Sequence, residues 1–382
     1  MATKTLPALD LAARTLTTAE LRRAAQRLPR VPLAHLPTPL EELPRFSKLL
    51  AAGRRGGPTV FIKRDDCTGL VFGGNKTRHN EFLFGHALEQ QAEMFVWGAG
   101  VQSNNCRQTA AACAKLGLGC HLVLSRDGFD EDVQGNLLLD YLVGASVEIV
   151  DAPLGPALYE IIATRTAALR QQGRRVYCWD NAIVKPRAAV SYLLCLCEVV
   201  EQMAELGQEP AAVYVCSSGS TGSGLALAKA VLGLDYPIRN IAPIRWPWDA
   251  AEDLAKTANS AAELVGLPHR LSGDDVNLSE DYIGPAYGTA SAAGDEALNL
   301  LARNEGILLD PIYTAKAMAA LIDDARQGRL EPDRPVVFIH TGGTPALFAY
   351  RDALVAAARA HAASVRHANV GHVSNVPGRL SP

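Results

Sequence analysis

Short apolar runs and helical patterns alternate along the middle of the chain. The segment 94–100 (MFVWGAG) is an apolar run, and SNNCRQTAAACAKLG, which follows it closely, has apolar residues at helical spacing. Further apolar runs at 120–125, 146–151 and 176–180 are separated by helical patterns. Apolar strands with intervening helices are typical of parallel sheets that are covered on both faces. The pattern therefore predicts an α/β fold in which parallel sheets are flanked by helices.

Two more strand-to-helix units follow in the C-terminal half. AAVYVCSSG at 211–219 gives way to GSGLALAKAVLG, and PVVFIHTGG at 335–343 gives way to TPALFAYRDALVAAARAHAA. KLLAAGRRGGP at 48–58 is predicted to be a surface loop. The end of the chain from His367 onward is predicted to be an irregular, disordered segment.

Composition narrows the class of protein without naming its chemistry. The 382 residues are 48% hydrophobic and carry 37 Lys and Arg against 40 Asp and Glu, a formal net charge of −3. This length suggests two domains or one large one. The near-neutral charge argues against nucleic acid as the main partner. No apolar run reaches the length of a membrane span, and the N-terminus has no apolar core of signal-peptide length.

The eight cysteines indicate a reducing compartment. None forms a CxxC pair, and they lie in apolar surroundings. Buried, reduced thiols in a cytoplasmic protein are therefore predicted. Cys195 and Cys197 lie two positions apart on a predicted helix and point to different faces, so no metal site is expected.

The first of three Gly-rich turns, FGGNKTR at 72–78, carries a candidate nucleophile. Gly73 and Gly74 allow a tight turn, Asn75 can cap a helix, and Lys76 falls in the first turn of that helix. The positive end of the helix dipole disfavours the charge on this lysine, so its pKa is expected to be low. The alternative is a solvated surface lysine beside a turn.

The other two turns also join a strand to a helix. SSGSTGSG at 217–224 offers N–H groups and hydroxyls to a phosphate. It lacks the Gly-Lys-Ser/Thr ending of a P-loop and the GxGxxG spacing, which weakens a kinase-like or NAD-dependent interpretation. HTGGTPALF at 340–348 places Thr341 at a strand end, where parallel sheets bind ligands. A lysine that can form a Schiff base, a phosphate cup and a strand-end hydroxyl together suggest pyridoxal 5'-phosphate (PLP).

Longer segments carry a resemblance to a known family. The sequence resembles the D-cysteine desulfhydrase family, which includes 1-aminocyclopropane-1-carboxylate (ACC) deaminase and L-cysteate sulfo-lyase, over roughly residues 30–352. The segments are IKRDDCTGLVFGGNKTRHNEF (62–82), GAGVQSNNCRQTAAACAKLG (98–117), SSGSTGSGLA (217–226), DYIGPAYG (281–288), GILLDPIYTAKAMAALID (306–323) and FIHTGGTPALFAY (338–350).

The resemblance implies a two-domain PLP fold of type II, like that of tryptophan synthase β, and a homodimer. A larger PLP-binding domain would comprise 1–79 and 190–382, and a smaller domain, 80–189, would close over an amino-acid substrate. Lys76 is implied as the Schiff-base lysine, with Asn104 beside the ring hydroxyl and Thr341 facing the pyridine nitrogen. The phosphate is implied to lie against Ser218, Gly219, Ser220, Thr221 and Gly222.

The same match suggests the reaction. Lys76 can take the substrate α-proton, and Ser103, Tyr287 and Tyr313 complete the implied catalytic set. A neutral hydroxyl at the pyridine nitrogen weakens the ring as an electron sink, which favours prompt loss of a β-leaving group. β-Elimination from a cysteine- or cysteate-like amino acid through an aminoacrylate, giving a 2-oxo acid and ammonia, is therefore predicted.

Two departures from the family lie on the substrate side. Asn105 stands where the family has histidine or glutamine after Ser-Asn. A Gly-rich substrate loop is replaced by VYCWDNAIVKPRAAVSY at 176–192. A further change is His79, interpreted as a packed or exposed helix residue. The predicted substrate contacts are Ser103, Asn104, Asn105, Trp179, Asp180, Lys185 and Arg187.

Other reactions remain open from the sequence. β-Replacement begins with the same step as β-elimination. ACC ring opening is disfavoured because Thr314 follows Tyr313, where the ACC branch has a glutamate. Loss of the substrate loop would also suit a non-catalytic PLP-binding paralogue.

Overall fold

A computed structural model describes residues 15–52, 56–126, 132–332 and 334–359. Its strands are β1 (Leu40–Glu42), β2 (Val60–Lys63), β3 (Met94–Gly100), β4 (Gly119–Ser125), β5 (Ser146–Val150), β6 (Val176–Cys178), β7 (Ala212–Cys216), β8 (Ile238–Ile241), β9 (Leu278–Ser279) and β10 (Val336–Ile339). Its helices are α1 (Thr18–Ala25), α2 (Pro44–Ala51), α3 (Asn75–Glu89), α4 (Asn104–Leu116), α5 (Gly135–Leu142), α6 (Pro156–Gln171), α7 (Asn181–Glu205), α8 (Ser220–Leu232), α9 (Ala250–Val265), α10 (Ala292–Glu305) and α11 (Thr314–Arg326). Short 3-10 turns cover Asp65–Cys67, Gly273–Val276 and Thr344–Tyr350, and residues 351–359 are helical.

The strands form two sheets. The six-stranded sheet has the order β1-β2-β10-β7-β8-β9, and the four-stranded sheet has the order β5-β4-β3-β6. All pairings are parallel except that of β1 with β2. The predicted parallel sheets flanked by helices are confirmed.

Helices cover both faces of the six-stranded sheet. Val213 and Val215 of β7 belong to an apolar core with α7, α8 and α9. Tyr214 and Cys216 point to the other face and belong to a core with α10 and α11. Strands that are buried on both faces explain why these runs are apolar throughout rather than alternating.

The four-stranded sheet comes from the middle of the chain. Phe95 and Trp97 pack against α3 and α4, and Met94 and Val96 pack against α6. The predicted domain boundaries, 79/80 and 189/190, fall inside α3 and α7. The division into two domains stays a prediction.

Two predictions about irregular segments differ from the structure. The predicted loop 48–58 begins inside α2, which continues to Ala51 because Phe46 and Leu50 bury an apolar face of this helix. The predicted substrate loop at 176–192 is mostly the start of α7, because Asp180 accepts a hydrogen bond from the Ala182 N–H as its N-cap. The segment from His367 onward lies outside the described residues. Among the described helices, none is both long enough and apolar enough to cross a membrane.

Candidate active site

A cavity of about 320 Å³ opens where the carboxyl ends of strands from both sheets meet. The cavity is lined by Gly98–Gly100 at the end of β3, by Cys216 at the end of β7 and by Thr341, two residues after β10. The first residues of α3, α4, α7 and α8 face the same space. Several helix N-termini therefore present partial positive charge to one cavity, which suits an anionic ligand.

Most of the predicted site residues line this cavity. Those that do are Lys76, Ser103, Asn104, Asn105, Trp179, Lys185, Ser218, Gly219, Ser220, Thr221, Tyr287, Tyr313 and Thr341. Gly222, Asp180 and Arg187 are not among its lining residues.

Lys76 enters the cavity from the first turn of α3. The turn before it needs glycine: Gly73 and Gly74 have φ of 64° and 125°, and a Cβ on Gly73 would lie 2.1 Å from the carbonyl oxygen of Asp66. Burial lowers the pKa of the Lys76 amine to about 8. The direction of this shift agrees with the sequence-based expectation, although its cause is burial rather than the helix dipole. At pH 7 roughly a tenth of the amine is neutral and nucleophilic.

His79 lies one turn along α3 and also lines the cavity. Its Nε2 lies 3.1 Å from Thr221 Oγ1, which also accepts a hydrogen bond from Asn75 Nδ2 at 3.0 Å. Burial, together with the charges of Lys76 and Arg78, holds the pKa of His79 well below its usual range. A neutral His79 therefore ties α3 to the first turn of α8. His79 was not among the predicted site residues. Its position three residues after Lys76, on the same face of α3, is a local pattern that could have indicated this role.

The turn before α8 forms an open cup. Ser217 Oγ accepts hydrogen bonds from the N–H groups of Gly222 at 2.8 Å and Gly219 at 3.3 Å. A Cβ on Gly219 would meet nothing within 4 Å, so the backbone is open to the cavity there. The N–H groups of Ser220 and Thr221, in the first turn of α8, have no carbonyl partner inside the helix, which makes them available to a phosphate.

Gly222, which was predicted to contact the phosphate, is not among the residues that line the cavity. Its N–H is bound by Ser217, and a Cβ on it would lie 2.4 Å from Asn240 Oδ1. The glycine is required by close packing behind the cup rather than by contact with the cavity.

The polar groups at α4 have fixed orientations. Ser103 Oγ accepts from the N–H groups of Asn105 and Cys106, both at 3.2 Å, so the hydroxyl caps the helix and keeps its own proton for donation. Arg107 Nε donates to Asn136 Oδ1 at 2.7 Å. Because arginine only donates, Asn136 must present Nδ2 to Asn104 Oδ1, at 3.0 Å. The amide NH₂ of Asn104 is therefore its available donor.

Asn136 is a positioning residue that the sequence did not reveal. It lies on α5, and it also donates to the carbonyl oxygen of Gln102 at 2.8 Å. Its separation from Asn104 is 32 positions, so no local pattern indicates the contact.

Two tyrosines face each other across the cavity wall. The hydroxyls of Tyr287 and Tyr313 are hydrogen-bonded. Burial and the neighbouring Tyr287 raise the pKa of Tyr313 well above its usual range, so Tyr313 keeps its proton. Asp310 fixes this turn by accepting from the N–H of Tyr313 at 2.7 Å and from the hydroxyl of Thr314 at 2.7 Å.

The charged residues near the start of α7 mostly have protein partners. Lys185 Nζ donates to Asp253 Oδ2 at 2.9 Å. Arg187 donates to the carbonyl oxygen of Ile183 at 3.0 Å and lies outside the cavity lining. Asp180 is exposed and caps α7. Asp180 and Arg187 do not line the cavity, because both side chains form hydrogen bonds within α7 or at its start. Their contact with a substrate stays a prediction.

The cavity fits PLP. Lys76 supplies an amine of lowered pKa, the α8 N-terminus supplies an anion cup with an open glycine, and Asn104 supplies an oriented amide donor. Thr341, at the end of β10, supplies a neutral hydroxyl rather than a carboxylate.

Comparisons with known proteins identify the family. The family model described as pyridoxal-phosphate dependent enzyme matches residues 31–342. The chain belongs to this family. Two of its relatives are the D-cysteine desulfhydrases of Salmonella choleraesuis and Salmonella typhi. They are 39% and 40% identical over 329 residues, covering 85% of this chain and 97% of each relative.

Solved structures of PLP enzymes share the fold. A structure described as an ACC deaminase homologue has a TM-score of 0.78 and 32% identity, covering 88% of this chain and 98% of that chain. Diaminopropionate ammonia lyase from Escherichia coli, in complex with an aminoacrylate-PLP azomethine intermediate, has a TM-score of 0.61 and 18% identity, covering 89% and 92%. The predicted family, α/β fold of type II, PLP cofactor and class of enzyme, a PLP-dependent lyase, are confirmed.

Proposed function

We propose that this PLP-dependent lyase removes the β-substituent of D-cysteine or of a similar polar amino acid and releases a 2-oxo acid and ammonia. The observation that carries the proposal is Lys76, an amine with a pKa of about 8 in a cavity lined by helix N-termini. The identity to D-cysteine desulfhydrases over nearly their whole length supports the choice of substrate.

The chain's own residues would hold the cofactor at four places. We assign its phosphate to the N–H groups of Ser220 and Thr221, its ring hydroxyl to Asn104, its ring nitrogen to Thr341 and its aldehyde carbon to Lys76. When bound, PLP supplies the electron sink that acidifies the α-hydrogen of an amino acid.

The remaining groups would handle the substrate. Ser103 and the N-terminus of α4 would bind the carboxylate, because a helix N-terminus favours an anion. Lys76 Nζ would accept the α-proton. Tyr313, which stays protonated, would donate a hydrogen bond to the sulfur that leaves. D-cysteine and water would thus give hydrogen sulfide, pyruvate and ammonia.

We also propose a homodimer in the cytoplasm. Leu138, Tyr141 and Leu142 on α5 expose 41%, 45% and 70% of their surface, which suits a contact between subunits. The free thiols suit a reducing compartment. Light scattering on the purified protein tests the dimer, and a monomeric mass would contradict it.

Incubation with single amino acids tests the reaction. The holoenzyme is given D-cysteine, L-cysteine, L-cysteate, β-chloroalanine and ACC separately, and the 2-oxo acid and ammonia are measured. We expect product from D-cysteine and β-chloroalanine, and little from ACC. Lys76→Ala should abolish activity, whereas Lys115→Ala, an exposed lysine on α4, should leave it unchanged. Full activity in Lys76→Ala, or no 2-oxo acid from any of the amino acids, would contradict the proposal.

A further inference from the structure

All the tryptophans of this protein line one cavity. The sequence contains four, and Trp97, Trp179, Trp246 and Trp248 are all lining residues of the active-site cavity. They come from three separate segments: β3, the connection before α7, and the connection between β8 and α9. Trp97 also packs in the core of the four-stranded sheet. All four indole rings nevertheless border the cavity, and together they form its aromatic wall.

The tryptophans form two pairs with defined geometry. The rings of Trp97 and Trp179 meet edge to face, with centroids 4.9 Å apart. The rings of Trp246 and Trp248 are stacked, 4.7 Å apart and 12° from parallel. Trp97 is fully buried, whereas Trp248 exposes 44% of its surface. Trp248 thus leaves aromatic surface accessible beside the cavity.

Hydrogen bonds hold two of these rings in place. The indole N–H of Trp246 donates to Ser218 Oγ at 3.3 Å, which places this ring next to the anion cup. The indole N–H of Trp179 donates to Asn181 Oδ1 at 2.9 Å. Fixed aromatic surfaces bind an aromatic ligand at low entropic cost, since little freedom is lost on binding.

The charges near this wall do not favour an anionic substituent. The described residues that line the cavity include two lysines, Lys76 and Lys185, and no arginine. Lys76 is the reactive amine, and Lys185 is held by Asp253 at 2.9 Å. Leu154 and Leu158 add apolar surface. An uncharged, aromatic β-substituent therefore fits the wall better than a sulfonate.

We propose that the preferred substrate is a cysteine whose sulfur carries an aromatic group, such as S-phenylcysteine or S-benzylcysteine. This inference rests on the β-elimination proposed above and extends it. The α-proton is removed, the Cβ–S bond breaks with its electron pair on sulfur, and the sulfur takes a proton. Hydrolysis of the remaining three-carbon enamine consumes one water. The sum is one S-aryl cysteine and one water giving one thiol, one pyruvate and one ammonia, with no oxidant or reductant.

The first experiment compares substrates. The kcat/KM of the holoenzyme for 2-oxo acid formation is measured with both enantiomers of S-phenylcysteine, S-benzylcysteine, cysteine and β-chloroalanine. We expect the aryl substrate of the active enantiomer to exceed cysteine by at least about tenfold, from burial of the ring against indole surface. Turnover of cysteine or β-chloroalanine without comparable turnover of the aryl substrates would overturn this inference alone. No product from any of them would overturn the β-elimination as well.

A binding measurement separates recognition from chemistry. 2-Amino-4-phenylbutanoate has carbon in place of the sulfur of S-phenylcysteine and cannot lose the group, and 2-aminobutanoate is its small counterpart. Both compounds are tested as inhibitors of β-chloroalanine turnover. The inhibition constant of the phenyl compound should be at least about tenfold lower than that of 2-aminobutanoate. Because every tryptophan lines the cavity, the intrinsic fluorescence of the whole protein should shift to shorter wavelength on binding. Equal inhibition constants, with no such shift, would overturn the inference.

Variants test the wall directly. Trp248→Leu should lower the ratio of kcat/KM for S-phenylcysteine to kcat/KM for β-chloroalanine by about tenfold. The ratio compares two substrates on one preparation, so it does not depend on the folded fraction. Phe348→Leu removes an aromatic ring that is even more exposed, 65% against 44% for Trp248, and that is not a lining residue of the cavity. This variant should leave the ratio unchanged. An unchanged ratio in Trp248→Leu would overturn the part assigned to the tryptophans.

Discussion

Lys63 and Lys76 are two buried lysines whose amines have different electrostatic surroundings. Lys63 is fully buried, donates to the carbonyl oxygen of Thr38 at 2.7 Å and lies 2.8 Å from the carboxylate of Glu198. Lys76 has no ion-pair partner among the described residues, and its burial lowers the pKa from 10.5 to about 8. A buried charge is stabilised by its partner in the first case and remains uncompensated in the second.

This contrast predicts opposite stability changes in the cofactor-free protein. Lys76→Met should raise the free energy of unfolding at pH 7 by on the order of 2 kcal/mol, because the native state no longer holds a poorly solvated charge. Between about pH 8 and pH 10.5 the unfolded chain binds the proton of Lys76 more tightly than the native one, so the gain should fade across this interval. Urea titrations at pH 7 and pH 10 measure both effects.

Lys63→Met provides the matched comparison. It should lower the free energy of unfolding by about 3 kcal/mol, since it leaves Glu198 with less compensation. A loss of stability in Lys76→Met at pH 7 would mean that the amine has a stabilising partner in the native state.

At the scale of elements, two glycines at the start of α8 have different roles. A Cβ on Gly222 would lie 2.4 Å from Asn240 Oδ1, whereas a Cβ on Gly219 would meet nothing within 4 Å. Gly222→Ala should therefore destabilise the protein by about 1–3 kcal/mol through overpacking. Gly219→Ala should keep the melting temperature, because its backbone is extended, but should weaken PLP binding by placing a methyl group in the cup. Melting temperature and PLP affinity measure the two effects, and equal behaviour of the variants would contradict the assignment.

The start of α5 gives a second prediction at this scale. Asn136→Leu removes the donor that fixes Asn104 Oδ1. The side-chain amide of Asn104 can then rotate, which exchanges the positions of its oxygen and nitrogen. We expect kcat/KM for 2-oxo acid formation to fall about five- to tenfold, the effect of one lost hydrogen bond. The absorbance maximum of bound PLP should also shift, which a purely structural defect would not cause. An unaltered spectrum would show that Asn136 does not influence the surroundings of the cofactor.

A local signal predicted the start of α3, although its N-cap is Gly74 rather than Asn75. Contacts between distant segments escaped prediction. The turn at Gly73 and Gly74 and the Ser103 cap are encoded within a few neighbouring residues. Asp180 is also a local N-cap signal, but its position where the family has a Gly-rich substrate loop favoured a substrate contact instead. The contact of His79 with Thr221 spans 142 positions, so nothing near either residue indicates it.

At the scale of the whole molecule, α3 connects the active site to both sheets. Phe82 packs in the core of the six-stranded sheet, and Phe84 packs in the core of the four-stranded sheet. α7 does the same through Val190 and Val184. The apolar runs of the sequence predicted parallel sheets, but not that these two helices belong to the cores of both sheets.

A buried ion cluster fixes α3 beneath Lys76. Arg78 lies 2.8 Å from Asp65 and 2.7 Å from Glu198, and all three residues are buried. Burial by itself would raise the pKa values of both carboxyls, but Arg78 and Lys63 hold them below the ordinary 3.8 and 4.5. Groups with depressed pKa values stabilise the native state above their unfolded pKa, and this contribution is lost as the pH falls below about 4.

The charge of Arg78 should account for much of the stability that this cluster provides. Arg78→Met should lower the free energy of unfolding at pH 7 by about 3–5 kcal/mol, because two buried carboxylates lose their shared cation. In the variant these carboxyls bind protons more readily in the native state than in the unfolded state. The difference in free energy of unfolding between variant and wild type should therefore become smaller from pH 7 to pH 4. Urea titrations at pH 7, 5 and 4 measure it. Arg270→Met, in an exposed pair with Glu263, should change stability by less than about 1 kcal/mol without such a trend. A difference that stays constant down to pH 4 would show that Arg78 stabilises α3 by packing rather than by its charge.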